Sequence, residues 1–349
     1  MHRVKSGYGI VAVVLLLLFL LKFSEAQNPD GLKTPGLFSS DKILEITIIS
    51  DYENLLANRA DTNLKIPARV IVDQKPGDTI SCELSPRGKF RRKAANCEFP
   101  PLRIKFKKSK ISHTYFEGLK NLKMVTHCNN GKSFKDVIFS EYLVYRLWDH
   151  CSDIGFQTRL FRARYVFKNQ PDSIIYGYGF FIEDNDDMAK RLDSEVVKNP
   201  GFGFSELNRQ ALMRLAMFQY MIGNIDYSAT MLHNCDAIKL KTIPGLIPVP
   251  YDFDYSEIVF PPYADLVFRY KDQQSGKIFR SICPTTTEVD EAITFFGSRK
   301  SAFRKEIRKC KHLSGRKKRQ LLHYLHDFYR IIHNEQQVKS EFFIQCDEK

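Results

Sequence analysis

Between residues 44 and 184 the chain repeatedly places an apolar side chain at every second position. Leu44, Ile46 and Ile48 fall on one side of "KILEITIIS". "ARVIVD", "TISCEL", "PLRIKFK", "NLKMVTHC", "TRLFRARYVF" and "YGYGFFIED" read as further short strands. A period of two is the mark of a strand with one face buried. "QKPGD" and "KNQPDS" carry turn residues and predict hairpin connections. One segment changes period. In "SFKDVIFSEYLVYRLWDH" the apolar positions Val137, Ile138, Val144, Leu147 and Trp148 fit a helix with one buried stripe.

The second half is patterned as helices. Leu207, Ala211, Leu215, Phe218 and Ile222 share one face of a helix expected through Asn224, Ser205 is placed to cap it, and Gly223 sits near its end, where a left-handed cap often falls. Residues 288–349 read as mostly helical, with Leu321, Leu322, Leu325, Phe328, Tyr329 and Ile332 as one stripe. The layout predicts an α+β fold with two lobes, a β-rich N-lobe (43–184) and a helical C-lobe (185–349), with a cleft between them.

The N-terminus adds a compartment. Arg3 and Lys5 precede twelve apolar residues (10–21), and "SEA" follows as a small-x-small cleavage pattern. This reads as a signal peptide over residues 1–26, because a membrane span needs about 20 apolar residues. An uncleaved anchor is the alternative. No second apolar run of spanning length follows, so no transmembrane domain is expected after cleavage. Residues 27–42 read as a linker. The mature protein is expected to be periplasmic or secreted, which puts eight cysteines in an oxidising compartment. Cys82 and Cys97 flank an expected hairpin and are the favoured disulfide pair. The net charge of +13 is concentrated in "KFKKSK" (105–110) and in residues 299–319. Such clusters attract anions, or simply make a solvated face, and the second reading carries more weight. No nucleic-acid binding motif is present, so nucleic acid is not an expected partner.

The candidate chemistry sits in "NIDYSATMLHN" and "PVPYDFDYS". Phosphoryl transfer needs phosphates held by a cation, charge neutralised by hard oxygen ligands on a metal, and a positioned acceptor hydroxyl. The parts occur in that order. Lys123 is the favoured strand lysine, with Lys105 and Lys120 as rivals. Glu141, on the following helix, is its expected partner. Glu183 ends the strand where backbone would meet an adenine. Asp226 follows the long helix as a catalytic-loop acid would. Asn234 comes eight residues later and Asp252 eighteen after that, with Asp254 as a second carboxylate. Arg87 and Gly88 in "SPRGKFRR" form a turn placed to close over phosphates.

These stretches carry a resemblance. "PRGKFRR…CEFPPLRIKF", "LKMVTHC", "SEYLVYRLW", "GFFIED", "MFQYMIGNIDYS…HN" and "PVPYDFDYS" resemble the spore-coat protein H (CotH) kinase-like group, and more closely its exported bacterial relatives. The likeness spans roughly residues 80–256. It implies an atypical protein-kinase-like fold, ATP between the lobes, and Mg2+ or Mn2+. By that match Asp226 is the catalytic acid, and Asn234 and Asp252 are the metal ligands. The expected activity is transfer of a phosphoryl group to a hydroxyl on protein, glycan or small molecule. The chain departs from ordinary protein kinases in lacking a G-x-G-x-x-G loop, in the longer Asp226–Asn234 spacing, and in "DFD" where those kinases have Asp-Phe-Gly. These departures keep a rival in view, a catalytically silent kinase-like binding module of the cell envelope. A cysteine hydrolase built on His127 and Cys128 is weaker, since eight exported cysteines favour disulfides and no Gly-x-Ser-x-Gly elbow exists. His323, His326 and Asp327 share a helix face as a weak metal set.

Overall fold

The computed structural model describes residues 36–73, 79–107, 111–262 and 277–343. Seven strands come first: β1 (Leu44–Ser50), β2 (Ile66–Val72), β3 (Thr79–Pro86), β4 (Leu102–Phe106), β5 (Asn121–Val125), β6 (Thr158–Phe167) and β7 (Ile174–Ile182). They close into a barrel in the order β1-β2-β3-β4-β5-β7-β6. The β1–β6 contact is parallel and the other pairings are antiparallel. The alternation read from the sequence becomes inside and outside. In β4, Leu102, Ile104 and Phe106 are buried in the barrel while Arg103 and Lys105 are exposed. The sheet lobe expected from the pattern is therefore a closed barrel with a filled interior, and closure leaves no unpaired edge. The "QKPGD" turn and residues 1–26 lie outside the described residues.

Two cores result. One fills the barrel, around Ile46, Leu84, Ile104, Phe116 and Phe181. The other gathers helix α2 (Lys132–Asp149), the outward-facing Phe180 and Ile182 of β7, and the later helices. Helix α2 belongs by sequence to the β-rich half, yet it packs with the second core, so the packing does not divide at residue 184. Residues 35–349 form one compact unit. Part of the expected linker is built into it: Leu37 is fully buried, and its carbonyl and that of Lys42 accept hydrogen bonds from Arg159.

The rest supports one stretch of polar loop. A short helix α3 (Asn185–Arg191) leads to β8 (Ser194–Val196), which joins β9 (Cys235–Leu240) and β10 (Leu246–Pro250) in a three-stranded sheet. Helix α4 (Arg209–Ile222) starts later than expected. Asn208, not Ser205, caps it by accepting from the Ala211 N–H. It ends at Ile222, short of the expected Asn224, with Gly223 as a left-handed cap at φ 63°; a Cβ there would lie 2.1 Å from the Tyr324 hydroxyl, so only glycine fits. Helices α5 (Thr286–Lys309), α6 (Gly315–Ile332) and α7 (Glu335–Phe342) complete the second core. No described helix is long and apolar enough to cross a membrane.

The cysteines correct one expectation. Cys97 pairs with Cys128, while Cys82 is a buried free thiol on β3 facing Ala68 and Phe106. Cys283 is also disulfide-bonded. A sheet register that turns Cys82 into the barrel wall takes it out of reach of Cys97.

Candidate active site

The eight-residue gap between Asp226 and Asn234 is closed by a tight loop. Ser228 and His233 exchange both backbone hydrogen bonds, at 2.9 and 3.1 Å, which folds residues 228–233 back on themselves. Asn234 Nδ2 then donates to the Asp226 carbonyl at 2.7 Å and to its Oδ2 at 3.1 Å. His233 Nε2 lies 2.9 Å from Oδ1. Both oxygens of Asp226 are thus engaged, on a side chain that is 26% exposed.

The sheet brings the third expected member alongside. Asn234 precedes β9 and Tyr251 follows β10, and these strands pair Cys235 with Pro250. The Tyr251 N–H donates to the Asn234 carbonyl at 3.1 Å, and the Asp252 N–H donates to the Tyr145 hydroxyl at 3.0 Å. Asn234 and Asp252 both hold left-handed backbone, φ 47° and 58°. Such conformations are uncommon outside glycine and gather at functional sites.

Asp254 belongs to a different, buried group. Arg91 Nη1 lies 3.9 Å from Glu141 Oε2 and 4.0 Å from Asp254 Oδ2, and Arg91 Nη2 donates to the Thr126 carbonyl. Glu141 is fully buried on α2, and among the described residues neither of its carboxylate oxygens has a hydrogen-bond partner. Burial, then the neighbouring Asp254 charge, pushes its carboxyl well above the usual range, with Arg91 opposing. The Cys97–Cys128 disulfide fixes the ends of this corner, with Phe90, Phe134 and Tyr255 packed around it.

Lys123 is where the sequence placed it, on β5, and it is buried. Its partner is not Glu141. Its Nζ donates to Asn185 Oδ1, and Asn185 Nδ2 donates to Asp236. Phe156 and Tyr251 rings lie 5.0 and 5.5 Å from the ammonium. Burial, with Arg87 as the next cause, brings its pKa down to about 8. Glu141 faces Arg91 instead.

The remaining expected residues fall as follows. Glu183 is buried in a two-pronged ion pair with Arg191, and its N–H donates to Gln157, so both its side chain and its donor are committed to the fold. Arg87 stands at the end of β3, where its charge is felt by Lys123, Glu141, Tyr145 and Tyr251. Gly88 is exposed, with φ 82°. Lys105 and Lys120 are exposed. His323 and His326 are exposed partners of Asp327 and nothing more. Cys128 is bonded to Cys97, which removes it as a nucleophile. Arg91, Asn185, Asp236 and Tyr145 were not read from the sequence. Asp236 lies two residues after Asn234, near the start of β9, and that closeness in sequence was its one signal.

Among the described residues no three His, Cys, Asp or Glu side chains gather as a metal-holding group. The donors nearest to one are mixed: the amide of Asn234, whose nitrogen is turned to Asp226, and the carboxylate of Asp252. Tyr255 ties the two groups together. Its hydroxyl is pushed up by burial and then by Asp254, Asp226 and Asp252, against Arg91.

No protein-family profile and no curated protein matches this chain. Among solved structures it is similar to the Helicobacter pylori proinflammatory kinase CtkA, at 10% identity over 70% of this chain and 93% of that one, with a TM-score of 0.38. It is also similar to the golgi casein kinase, at 11% identity over 88% of this chain and 77% of that one, TM-score 0.35. The golgi casein kinase with Mn/ADP bound aligns at 10% identity over 88% and 76%, TM-score 0.34. Identity near one residue in ten and TM-scores below 0.4 leave the case for this chain to its own residues.

Proposed function

We propose that this protein is an exported kinase-like phosphotransferase that moves the γ-phosphoryl group of ATP to a hydroxyl acceptor. The observation that carries the reading is the contact of Asp226 with Asn234, joined through Tyr251 to Asp252. Asp226 and Asn234 touch, and Asp252 directly follows the residue whose N–H bonds Asn234, in the order that phosphoryl transfer uses.

In this reading Asp226 orients the acceptor hydroxyl and takes its proton at Oδ1, and His233 relays that proton to solvent. Lys123 and Arg87 hold phosphate oxygens. Asn234 and Asp252 would hold Mg2+ or Mn2+, while Asp254 is turned to Arg91; amide and carboxylate oxygens are the hard donors such ions take. When bound, that ion would neutralise charge on the phosphates. The unpartnered Glu141 oxygens beside Asp252 and Asp254 fit a place where positive charge is wanted.

A second reading has its own support. Lys123 bonded to Asn185 and Glu141 paired with Arg91 favour a catalytically silent kinase-like module that binds a partner at the cell envelope. Nucleotide-dependent melting and label transfer separate the two, using residues 27–349 with ATP and Mg2+ or Mn2+. Transfer lost in Asp226→Ala supports the enzyme. Stabilisation by nucleotide without transfer supports the silent module.

A further inference from the structure

The outer face of the barrel carries a second cationic feature. Glu83 and Ser85 on β3, Arg103 and Lys105 on β4, and Asn121 and Lys123 on β5 are cross-strand partners and share one face. Beside them lies a hollow of about 430 Å3 lined by Lys65, Arg87, Arg103, Lys105 and Lys120, with Glu83 as the single carboxylate of its wall. Among the described residues none of these five cations forms an ion pair. Elsewhere on the barrel the pattern differs: Arg162 is paired with Glu45. Five unpaired positive charges converging from four segments repel one another, and anions relieve that repulsion.

The basic ridge of α5 makes a useful contrast. Lys300, Arg304, Lys305, Arg308 and Lys309 line a wider depression, about 810 Å3, but they run along one helix. There Lys309 pairs with Glu306 and Lys300 lies over the Tyr329 ring. That ridge is a surface; the barrel hollow is a convergence point.

We propose that the barrel hollow is an anion site for a compact polyphosphate, meaning a small molecule carrying several phosphates, separate from the Asp226 turn and centred on Arg103 and Lys105, with Arg87 at the border it shares with the phosphate contacts of the proposed function. Its volume lies in the range of small-molecule sites. Arginine forks and lysine ammoniums are the side chains that take phosphate oxygens, and the Ser85 hydroxyl and Asn121 amide add neutral donors. An extended acidic polymer would instead track a linear ridge. The site also reaches the candidate active site. Arg87 and Arg103 are the two cations that disfavour the charged form of Lys123, so an anion between them strengthens the Lys123 ammonium.

Calorimetric titration of residues 27–349 with sodium tripolyphosphate tests this. One saturable site per chain is expected, with a Kd on the order of 10 μM. Arg103→Ser with Lys105→Ser should weaken it at least about tenfold, and Glu83→Gln should tighten it several-fold. Both sites of change are on the outer wall of the barrel, and circular dichroism confirms folding. ATP binding with Mn2+, measured in parallel with Asp226→Ala and Asn234→Ala, reports on the proposed function separately, so either claim can fail alone. No saturable heat at about 1 mM, or equal affinity in the double variant, overturns the proposal. So does a polyglutamate chain or a sulfated oligosaccharide that binds more than about tenfold tighter than tripolyphosphate.

Discussion

The corner of Glu141, Arg91 and Asp254 and the turn of Asp226, His233 and Asn234 both lie within electrostatic reach of Tyr255, and they are built in opposite ways. The corner is buried, its ion pairs are long at 3.9 and 4.0 Å, and the Glu141 oxygens have no hydrogen-bond partner among the described residues. The turn is half-open, and both oxygens of Asp226 are hydrogen-bonded. Burial makes charge expensive, so the corner stores electrostatic cost that one arginine offsets in part. Exposure makes charge cheap, so the turn can hold an ionised acid at little energetic cost. A half-open, oriented carboxylate suits contact with an acceptor; a buried, under-satisfied one suits a fixed electrostatic background.

Substitutions that break this contrast should differ in size and sign. Arg91→Met removes the cation beside the buried Asp254 carboxylate and the Glu141 acid and should cost about 3–5 kcal/mol, read by urea unfolding. A loss under about 1 kcal/mol would mean the corner is not ionic. Next, reducing Cys97–Cys128, or replacing both by Ser, should cost about 3–4 kcal/mol, since the bond joins positions separated by 31 in sequence. Glu141→Gln should do the reverse and stabilise by roughly 1–3 kcal/mol at neutral pH. The folded chain keeps a proton on Glu141 that the unfolded chain releases above its ordinary value of 4.5, so stability is lost as pH rises beyond that value. The gain from Glu141→Gln should accordingly vanish near pH 4 and grow upward, and a gain independent of pH would contradict the burial argument. Smallest of all, His233→Ala, at a side chain 59% exposed, should change stability by less than about 1 kcal/mol.

The sequence revealed some parts of this and hid others for physical reasons. Strand alternation placed Lys123 on β5 and put the turn of Asp226 after Gly223, because period and glycine chemistry are local. Barrel closure was not legible, since it depends on β1 meeting β6 across more than a hundred residues. The partner of Lys123 was misread for a similar reason. Glu141 is one helix away in sequence, but Asn185 and Asp236 reach Lys123 only once β9 is laid down. Nothing local distinguishes Arg91 from Arg87 or Arg92; only the folded corner shows that Arg91 is the one buried against Glu141 and Asp254. Asp254 followed strand logic and was grouped with Asp252. The chain turns after β10, and the two acids part, one toward the Asn234 turn and one toward Arg91.

The central claim is that the Asp226 turn performs phosphoryl transfer. The most direct measurement is single-turnover transfer of label from γ-labelled ATP, with Mn2+, by residues 27–349, compared with Asp226→Ala. The account predicts label in protein or in an added hydroxyl acceptor, reduced by about 10²–10⁴-fold in the variant while nucleotide binding persists. Equal transfer by parent and variant, or none by either across Mg2+ and Mn2+, would contradict it.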